Sequence, residues 1–516
     1  MADDIHSSLK TVAKGTTLVF FSSALSMLLW FASKILIVNR ITKEELGIYS
    51  LALSIVSMVS ALASMGIPDG VTRYISIYLG EGKKEDADAV AKAAIKISGA
   101  IGLAASALVF FFSPLIARHF FYMPELVTPL RVVSAFIFFN TCITIFVGIL
   151  RGFGNVTAQI YNINLIHPVI FLALAGVCFA FRLSFIFLMF AYLTAVMAVF
   201  LSIWIYSRKA INLKPLKLGN AGHAEELLRL SLPLLGASIM NMVFAWSDTF
   251  VLGRYAGADA VGVYSVSVTL AKLLTFVISA MVFTFLPIAG DLYSKGRHAD
   301  MKRTYQVLTK WVFIGTIPIF FVLFCFPEMT ITFLFGKQYM DSAFPLRVLS
   351  IGFMANVFFG ASTIFLIVMG MSKSLLKIET FGAVLNLGLN YLLVKRMGYG
   401  VKGACSATAF SMCLIYGIYA FILYKKSRIH ALTCNYVKPM ISLGLVGAAV
   451  YALVKSLPLH LWMVPLYFVL FLALYSAALL LSRSIEKEDV VLFETVANKT
   501  GLELKFVRQL LAELSK

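Results

Sequence analysis

Runs of about twenty apolar residues follow one another through nearly the whole chain, separated by short polar stretches. A helix of about twenty residues spans the roughly 30 Å hydrocarbon core of a bilayer. Membrane strands would instead alternate apolar and polar residues over about ten positions, a pattern this chain lacks. The runs read as 16–38, 47–79, 90–113, 130–150, 157–181 and 183–206, then 226–253, 262–294, 308–326, 344–370, 375–395 and 401–424. Two more follow at 437–457 and 461–482. The first run ends in Val38-Asn39-Arg40 with no small-residue cleavage pattern, so it is expected to stay as a helix. The expected fold class is an all-α integral membrane protein of about 14 transmembrane helices.

Two of these runs open alike. Pro129-Leu130-Arg131-Val132-Val133-Ser134 precedes Asn140, and Pro345-Leu346-Arg347-Val348-Leu349-Ser350 precedes Asn356 at the same distance. Gly47-Ile48-Tyr49-Ser50 returns as Gly262-Val263-Tyr264-Ser265, and Ser33-Lys34 with Arg40 returns as Ser247-Asp248 with Arg254. Echoes that keep their order at a nearly constant offset mark an internal repeat. The repeat predicts two pseudo-symmetric six-helix bundles, at 1–210 and 226–425, then two additional helices within 437–482 and a tail at 484–516. Six helices is an even number, so both copies enter the membrane in the same sense. Their pseudo-two-fold axis then lies along the membrane normal and leaves a central cleft. Pro68 and Pro287 fall inside the two longest runs and predict bends; Pro168 and Pro233 interrupt two others. Carbonyls freed at such depths need protein or water partners, which puts the bends beside the cleft.

The 516 residues are 60% hydrophobic and 13% charged, and the net charge is +19. In a soluble chain that basicity would suggest nucleic acid. In a membrane chain Lys and Arg collect in cytoplasmic loops, so no nucleic-acid partner is needed. The excess falls in the even loops and both tails, which predicts cytoplasmic termini in a multi-pass protein of the cell membrane. The basic loops 207–225 and 295–307 read as solvated faces beside anionic membrane lipid. In the tail, Leu502, Phe506, Leu510 and Leu514 form one stripe, expected to lie on the membrane or under the second bundle. The six cysteines have no metal-ligand spacing and read as small core residues. No phosphate loop of the GxxxxGK[ST] type occurs, so ATP is not expected as direct energy source, and no cofactor or metal is expected.

Arg40 to Gly47-Ile48-Tyr49, the bend followed by Thr72-Arg73-Tyr74, Asp248 to Gly253-Arg254, and Gly400-Val401-Lys402-Gly403-Ala404 with Ala407-Thr408 form an ordered set. It resembles the polysaccharide-flippase branch of the multidrug/oligosaccharidyl-lipid/polysaccharide exporter superfamily over residues 10–425. The resemblance implies two six-helix bundles around a lumen that opens alternately to either side, and the turning over of lipid-linked oligosaccharides across the cytoplasmic membrane. Many members of that family stop at twelve helices, which sets the last two spans apart.

A cation at mid-bilayer costs about 2.5–3.5 kcal/mol on insertion scales, so each one needs a reason. Arg73 follows the bend at Pro68 and is the leading candidate for a lumen-facing phosphate contact; its alternative is neutralisation by Asp69 at i−4. Lys272 lies within the eighth span, and Arg131 and Arg347 open the fourth and tenth, where snorkelling is the alternative. Asn386 and Asn390 share a helical face with Glu379 and can contact substrate or bond a neighbouring helix. Asn162, Asn164 and His167 in the fifth span read as packing residues, with a proton relay as the alternative. Lys34 and Asp248 occupy equivalent positions and are expected as gate charges, Asp248 also as the site of a coupling H+ or Na+.

The leading function is a flippase, a monomeric transport unit whose substrate is a polyprenyl-linked oligosaccharide. Its phosphates want cations and its tail wants an apolar opening. A cation-coupled multidrug exporter on the same fold would want acids, of which Asp69, Asp248 and Glu379 are the intramembrane examples. An integral-membrane glycan polymerase or ligase would need a catalytic constellation in its outer loops; these are short and carry no paired carboxylates. The topology has a direct check. A single cysteine at Lys214 in a Cys-free chain should react with an impermeant thiol reagent only after the cells are permeabilised; labelling from outside would overturn the orientation.

Overall fold

The computed structural model describes residues 22–155, 157, 160–210, 239–431, 437–456 and 463–482. All regular structure among them is helical. Nine of the described helical spans are long and apolar enough to cross a membrane, and shorter apolar helices occur at Ser22–Val38, Lys438–Leu453 and Leu466–Leu479. Helices at 239–255 and Ser372–Asn390 take the seventh and eleventh places in the order. The all-helical membrane fold expected from the apolar runs is the one observed. The tail stripe at 484–516, the loop 211–225 and Pro233 lie outside the described residues.

Helix α1 is Ser22–Val38, and α2 is Lys43–Ser64. Thr42 caps α2: its hydroxyl accepts from the Glu45 backbone N–H at 3.2 Å, and the Thr42 N–H donates to the Glu45 carboxylate at 2.9 Å. This reciprocal box satisfies two end groups and sets negative charge against the helix's positive end. Met65 and Gly66 then adopt left-handed backbone, with φ of 49° and 68°, and end the helix. Helix α3, Ile67–Gly80, restarts with Pro68 in its first turn, where a missing N–H costs nothing. The expected bend is therefore a complete break. In the second copy the break lies elsewhere. Helix α9, Ala258–Ala271, passes through a 3-10 turn at Lys272–Thr275 into α10, Phe276–Ser294, and α10 runs on through position 287. The Thr275 hydroxyl donates to the Lys272 carbonyl at 2.8 Å, a local bond that competes with the helical ladder, whereas one proline can be carried as a curve.

Helix α4 is Lys84–Leu115 and α5 is Val127–Gly152. A π-helical stretch, Ile160–Ile166, leads into α6, His167–Ala180, and α7 is Phe185–Ala210. After α8 at 239–255 come α9 and α10, then α11 His298–Cys325, α12 Pro327–Phe335, α13 Ala343–Phe359 and α14 Ala361–Val368. Helices α15 Ser372–Asn390, α16 Gly400–Ser427, α17 Val437–Ser456 and α18 Val464–Leu481 complete the order. The repeated Pro-Leu-Arg opening proves to be a helix-start motif. Pro129 and Pro345 lie in the first turns of α5 and α13, and Leu130, Ser134, Leu346 and Ser350 are buried in both copies alike.

Contacts divide the chain into two compact units, one of Phe21–Ser265 with Ala383–Ala404, the other of Val266–Gly382 with the segment from Cys405 onward. In the first, Ile67, Val71 and Ile75 of α3 pack against Val90 and Ala94 of α4 and Ile145 and Ile149 of α5. In the second, the two additional helices bury Phe471, Tyr475 and Leu479 of α18 against α11, where Phe321 stacks on Phe471 at 5.1 Å.

The Gly-Ile/Val-Tyr-Ser echo has a packing cause inside the first unit. A Cβ on Gly47 would stand 1.8 Å from the Ala258 carbonyl oxygen, and one on Gly262 would stand 2.1 Å from that of Lys43. Under the repeat, Gly47 becomes Gly262 and Lys43 becomes Ala258. The first turns of α2 and α9 thus cross backbone to backbone about a local two-fold, a contact open only to glycine. Gly47→Ala should cost about 1–3 kcal/mol through overpacking, seen as a lower unfolding temperature in detergent. Gly417→Ala, whose added carbon meets nothing within 4 Å, should not lower it.

Candidate functional site

The most developed polar cluster lies within the first unit, where α8, α9 and α15 meet. Asp248 of α8 is 5% exposed, and Asn386 and Asn390 of α15 are fully buried. A carboxylate out of water is tolerated only when donors surround it. The Asn390 amide donates to Asp248 Oδ1 at 2.8 Å, the Tyr264 hydroxyl donates to Oδ2, and the Ser247 hydroxyl lies 3.4 Å from Oδ1. The Ser247 hydroxyl donates to Asn386 Oδ1, and the Asn390 amide also meets the Asn386 carbonyl at 3.0 Å. One acceptor is left over: Asn390 Oδ1 is buried with no hydrogen-bond partner among the described residues. One carboxylate with neutral oxygens and a spare acceptor suits a proton or an alkali cation. Tight divalent sites collect more charge.

Asp248, Asn386 and Asn390 are thus brought together by the fold. Ser247 and Tyr264 belong to the same cluster, and the sequence signals them only through the repeat that carries them. The equivalent place in the first copy has the other charge. Lys34 Nζ lies 6.0 Å from the centre of the Tyr49 ring, and Ser33 is buried, donating to the Leu29 carbonyl at 2.9 Å. Each copy therefore sets its charge against its own tyrosine. Nearby, α6 supplies His167 and Phe171 to an aromatic group with Trp30 and Tyr192; His167 meets Trp30 edge-on at 5.0 Å. Glu379, earlier on α15, is half-buried and within electrostatic reach of Tyr416 and Tyr419 in the second unit.

The four candidate cations are placed singly. Arg73 is exposed on α3 and makes no hydrogen bond or ion pair among the described residues. Asp69, its expected neutraliser, instead lies 3.8 Å from Arg151 Nη1 of α5. Lys272 is exposed at the start of the 3-10 turn. Arg131 Nε donates to the Ser113 hydroxyl at 3.2 Å, and its guanidinium lies over the Phe110 ring at 5.5 Å. Arg347 ties helix ends together, donating to the Phe324 carbonyl at 3.0 Å and to the Glu328 carboxylate at 3.2 Å.

An ordered repeat of membrane helices, a break between α2 and α3 and a buried carboxylate cluster on α8 define the class, an all-helical multi-pass membrane protein. The family follows from sequence: residues 12–292, more than half of the chain, match the model described as polysaccharide biosynthesis protein, and the chain belongs to that family. Residues 233–392 also match the MatE model. An uncharacterized membrane protein of Methanocaldococcus jannaschii is 22% identical over 80% of this chain and 84% of its own. Stage V sporulation protein B of Bacillus subtilis is 19% identical over 81% and 84%. In three dimensions the chain is similar to the lipid II flippase MurJ in an inward closed conformation, with TM-score 0.74 and 16% identity over 91% of this chain and 98% of that one. It is also similar to an inward-facing multidrug resistance MATE family transporter of the MOP superfamily, with TM-score 0.65 and 17% identity over 80% and 98%. At these identities the likeness is one of fold.

The cluster predicts a coupled pair. Asn390→Ala leaves Asp248 short of a donor and should cost about 2–3 kcal/mol. In an Asp248→Asn background the same change should cost clearly less, and unfolding temperatures of the two single variants and the double variant measure the difference.

Proposed function

We propose that this protein is a flippase that moves a polyprenyl-linked oligosaccharide from the cytoplasmic to the outer leaflet by alternating access. What carries the reading is membership of the polysaccharide biosynthesis family on a fold shared with a lipid II flippase. In this reading the protein resides in the cell membrane with both termini cytoplasmic, works as a monomer and catalyses no covalent step. The two six-helix copies, 1–210 and 226–425, rock about the cleft between them. Arg73 meets the substrate phosphate from the cytoplasmic side, supported by its exposure and its freedom from Asp69. Lys272, Arg131 and Arg347 are further cationic contacts on the path, with Arg347 held in place by Glu328.

Asp248 is the coupling group in this mechanism. Asn386 and Asn390 shape its site, and the spare Asn390 oxygen is where an incoming H+ donor or Na+ finds its acceptor. Occupation neutralises the carboxylate and removes the reason for its donors to stay gathered, so the ion shifts the balance between two conformations through its differential affinity. Lys34, Asp69 and Glu379 are the remaining charges assigned to gating. A multidrug exporter is the second reading, favoured by the MatE match over 233–392 and the MATE structures of similar fold.

Reconstitution into liposomes tests both halves. A labelled polyprenyl diphosphate oligosaccharide placed in the outer leaflet should become enzyme-inaccessible as it crosses, faster under a proton or sodium gradient. Arg73→Ala should lose transport and Arg73→Lys should keep part of it, because a point charge replaces a planar one only in part. Asp248→Asn should remove the gradient's effect. Transport of organic cations with no movement of the lipid would overturn the flippase in favour of the exporter.

A further inference from the structure

An apolar cavity of about 520 Å³ lies in the first unit beside the ends of α4 and α8, lined by Met58, Val59, Leu115, Phe120, Phe121 and Phe250 among others. Its volume is within the range of about 300–1,000 Å³ typical of small-molecule sites. Phe120 leads out of the cavity to a row of cations and rings. Arg254, one turn beyond Phe250 on α8, has its guanidinium 6.0 Å from the Phe120 ring, 4.0 Å from Tyr122 and 5.4 Å from Tyr255. Lys395 Nζ continues the row, 5.1 Å from Tyr255 and 4.6 Å from Tyr391. Arg254 donates to the Tyr122 hydroxyl at 3.0 Å and Lys395 to the Tyr391 hydroxyl at 2.8 Å. Neither cation has a carboxylate partner among the described residues.

We propose that this cavity and the Arg254–Lys395 row form a second ligand site, for a single-chain isoprenyl diphosphate whose hydrocarbon enters the cavity and whose diphosphate lies along the two cations. A guanidinium has five N–H donors and an ammonium three, and the neighbouring tyrosines take only part of them. The rest are available to phosphate oxygens, and charge-assisted contacts of that kind are the strong ones. Two like charges share the Tyr255 ring with no acid between them, an arrangement that a dianion relieves. The cavity is one and the cations are two. That matches one chain bearing two phosphates better than a phospholipid, which brings two chains and one phosphate. The inference rests on the flippase reading for its substrate class. In the proposed orientation the site faces the outer leaflet, where a flipped lipid leaves.

The test uses the full chain in phosphatidylcholine nanodiscs, with a twenty-carbon isoprenyl diphosphate as probe. The wild type should bind it saturably, and Arg254→Gln/Lys395→Gln should weaken binding by about tenfold or more. Arg254→Lys/Lys395→Arg, which keeps both charges, should retain most of it. Val59→Trp, which fills the cavity, should weaken the isoprenyl probe while leaving the feeble binding of inorganic diphosphate unchanged. Equal affinity in the Gln pair overturns this site and leaves the flippase reading standing, since the probe then binds elsewhere. Phosphatidylglycerol competing as well as the probe overturns the assigned occupant and makes the row an interfacial lipid contact. Absence of saturable binding by the wild type overturns both the site and the substrate class.

Discussion

Hydrocarbon offers a polypeptide no hydrogen bonds, and most of this structure follows from that deficit. Every backbone group within the membrane must be satisfied by the chain itself, which leaves the helix as the form for these apolar runs. It also dictates how a helix can break. The gap between α2 and α3 uses two left-handed residues and a proline at the new start, and the gap between α9 and α10 tightens into a 3-10 turn held by Thr275. The same deficit explains why Asp248 sits among a tyrosine, an asparagine and a serine, since burying a carboxylate without hydrogen-bond donors is costly.

The two copies keep a frame and change its contents. At the crossing of α2 and α9 the frame is held closely, because Gly47 and Gly262 each accept the other copy's carbonyl where any side chain would collide. Two residues on from each glycine the tyrosines remain while the charges beside them invert, Lys34 beside Tyr49 and Asp248 beside Tyr264. Partners diverge as well: α15 gives the second copy two buried asparagines, and α6 gives the first a histidine and a phenylalanine among aromatic rings. Among the described residues the repeat is thus close in backbone and different in chemistry, with the buried carboxylate and its asparagines in the second copy.

The helices were legible because a run of about twenty apolar residues has few other fates. An interruption near Pro68 was legible from the proline, but as a bend; the complete break comes from the left-handed backbone at Met65 and Gly66. Position 287 misled because a proline alone specifies a missing hydrogen bond and not a kink, while the actual turn at Lys272–Thr275 has no sequence mark beyond a threonine. The Asn386–Asn390 stripe announced a polar contact, and its partner could not be read. Asp69 shows the converse. Its nearest cation along the chain is Arg73, and the cation it meets is Arg151, brought in by the packing of α3 on α5.

The sequence by itself determined the class of solvent this protein folds in, its all-helical form, the repeat, and which polar residues needed an explanation. Those properties depend on composition and spacing along a chain, and the cost of burying backbone and charge converts them directly into structure. Tertiary structure decided which polar residues meet: Asp248 with Tyr264 and Asn390, Arg347 with Glu328, and Arg254 and Lys395 across one tyrosine. Such meetings join residues far apart in the chain through the angles at which helices cross, and those angles are set by backbone approaches such as the one at Gly47, which no local periodicity encodes.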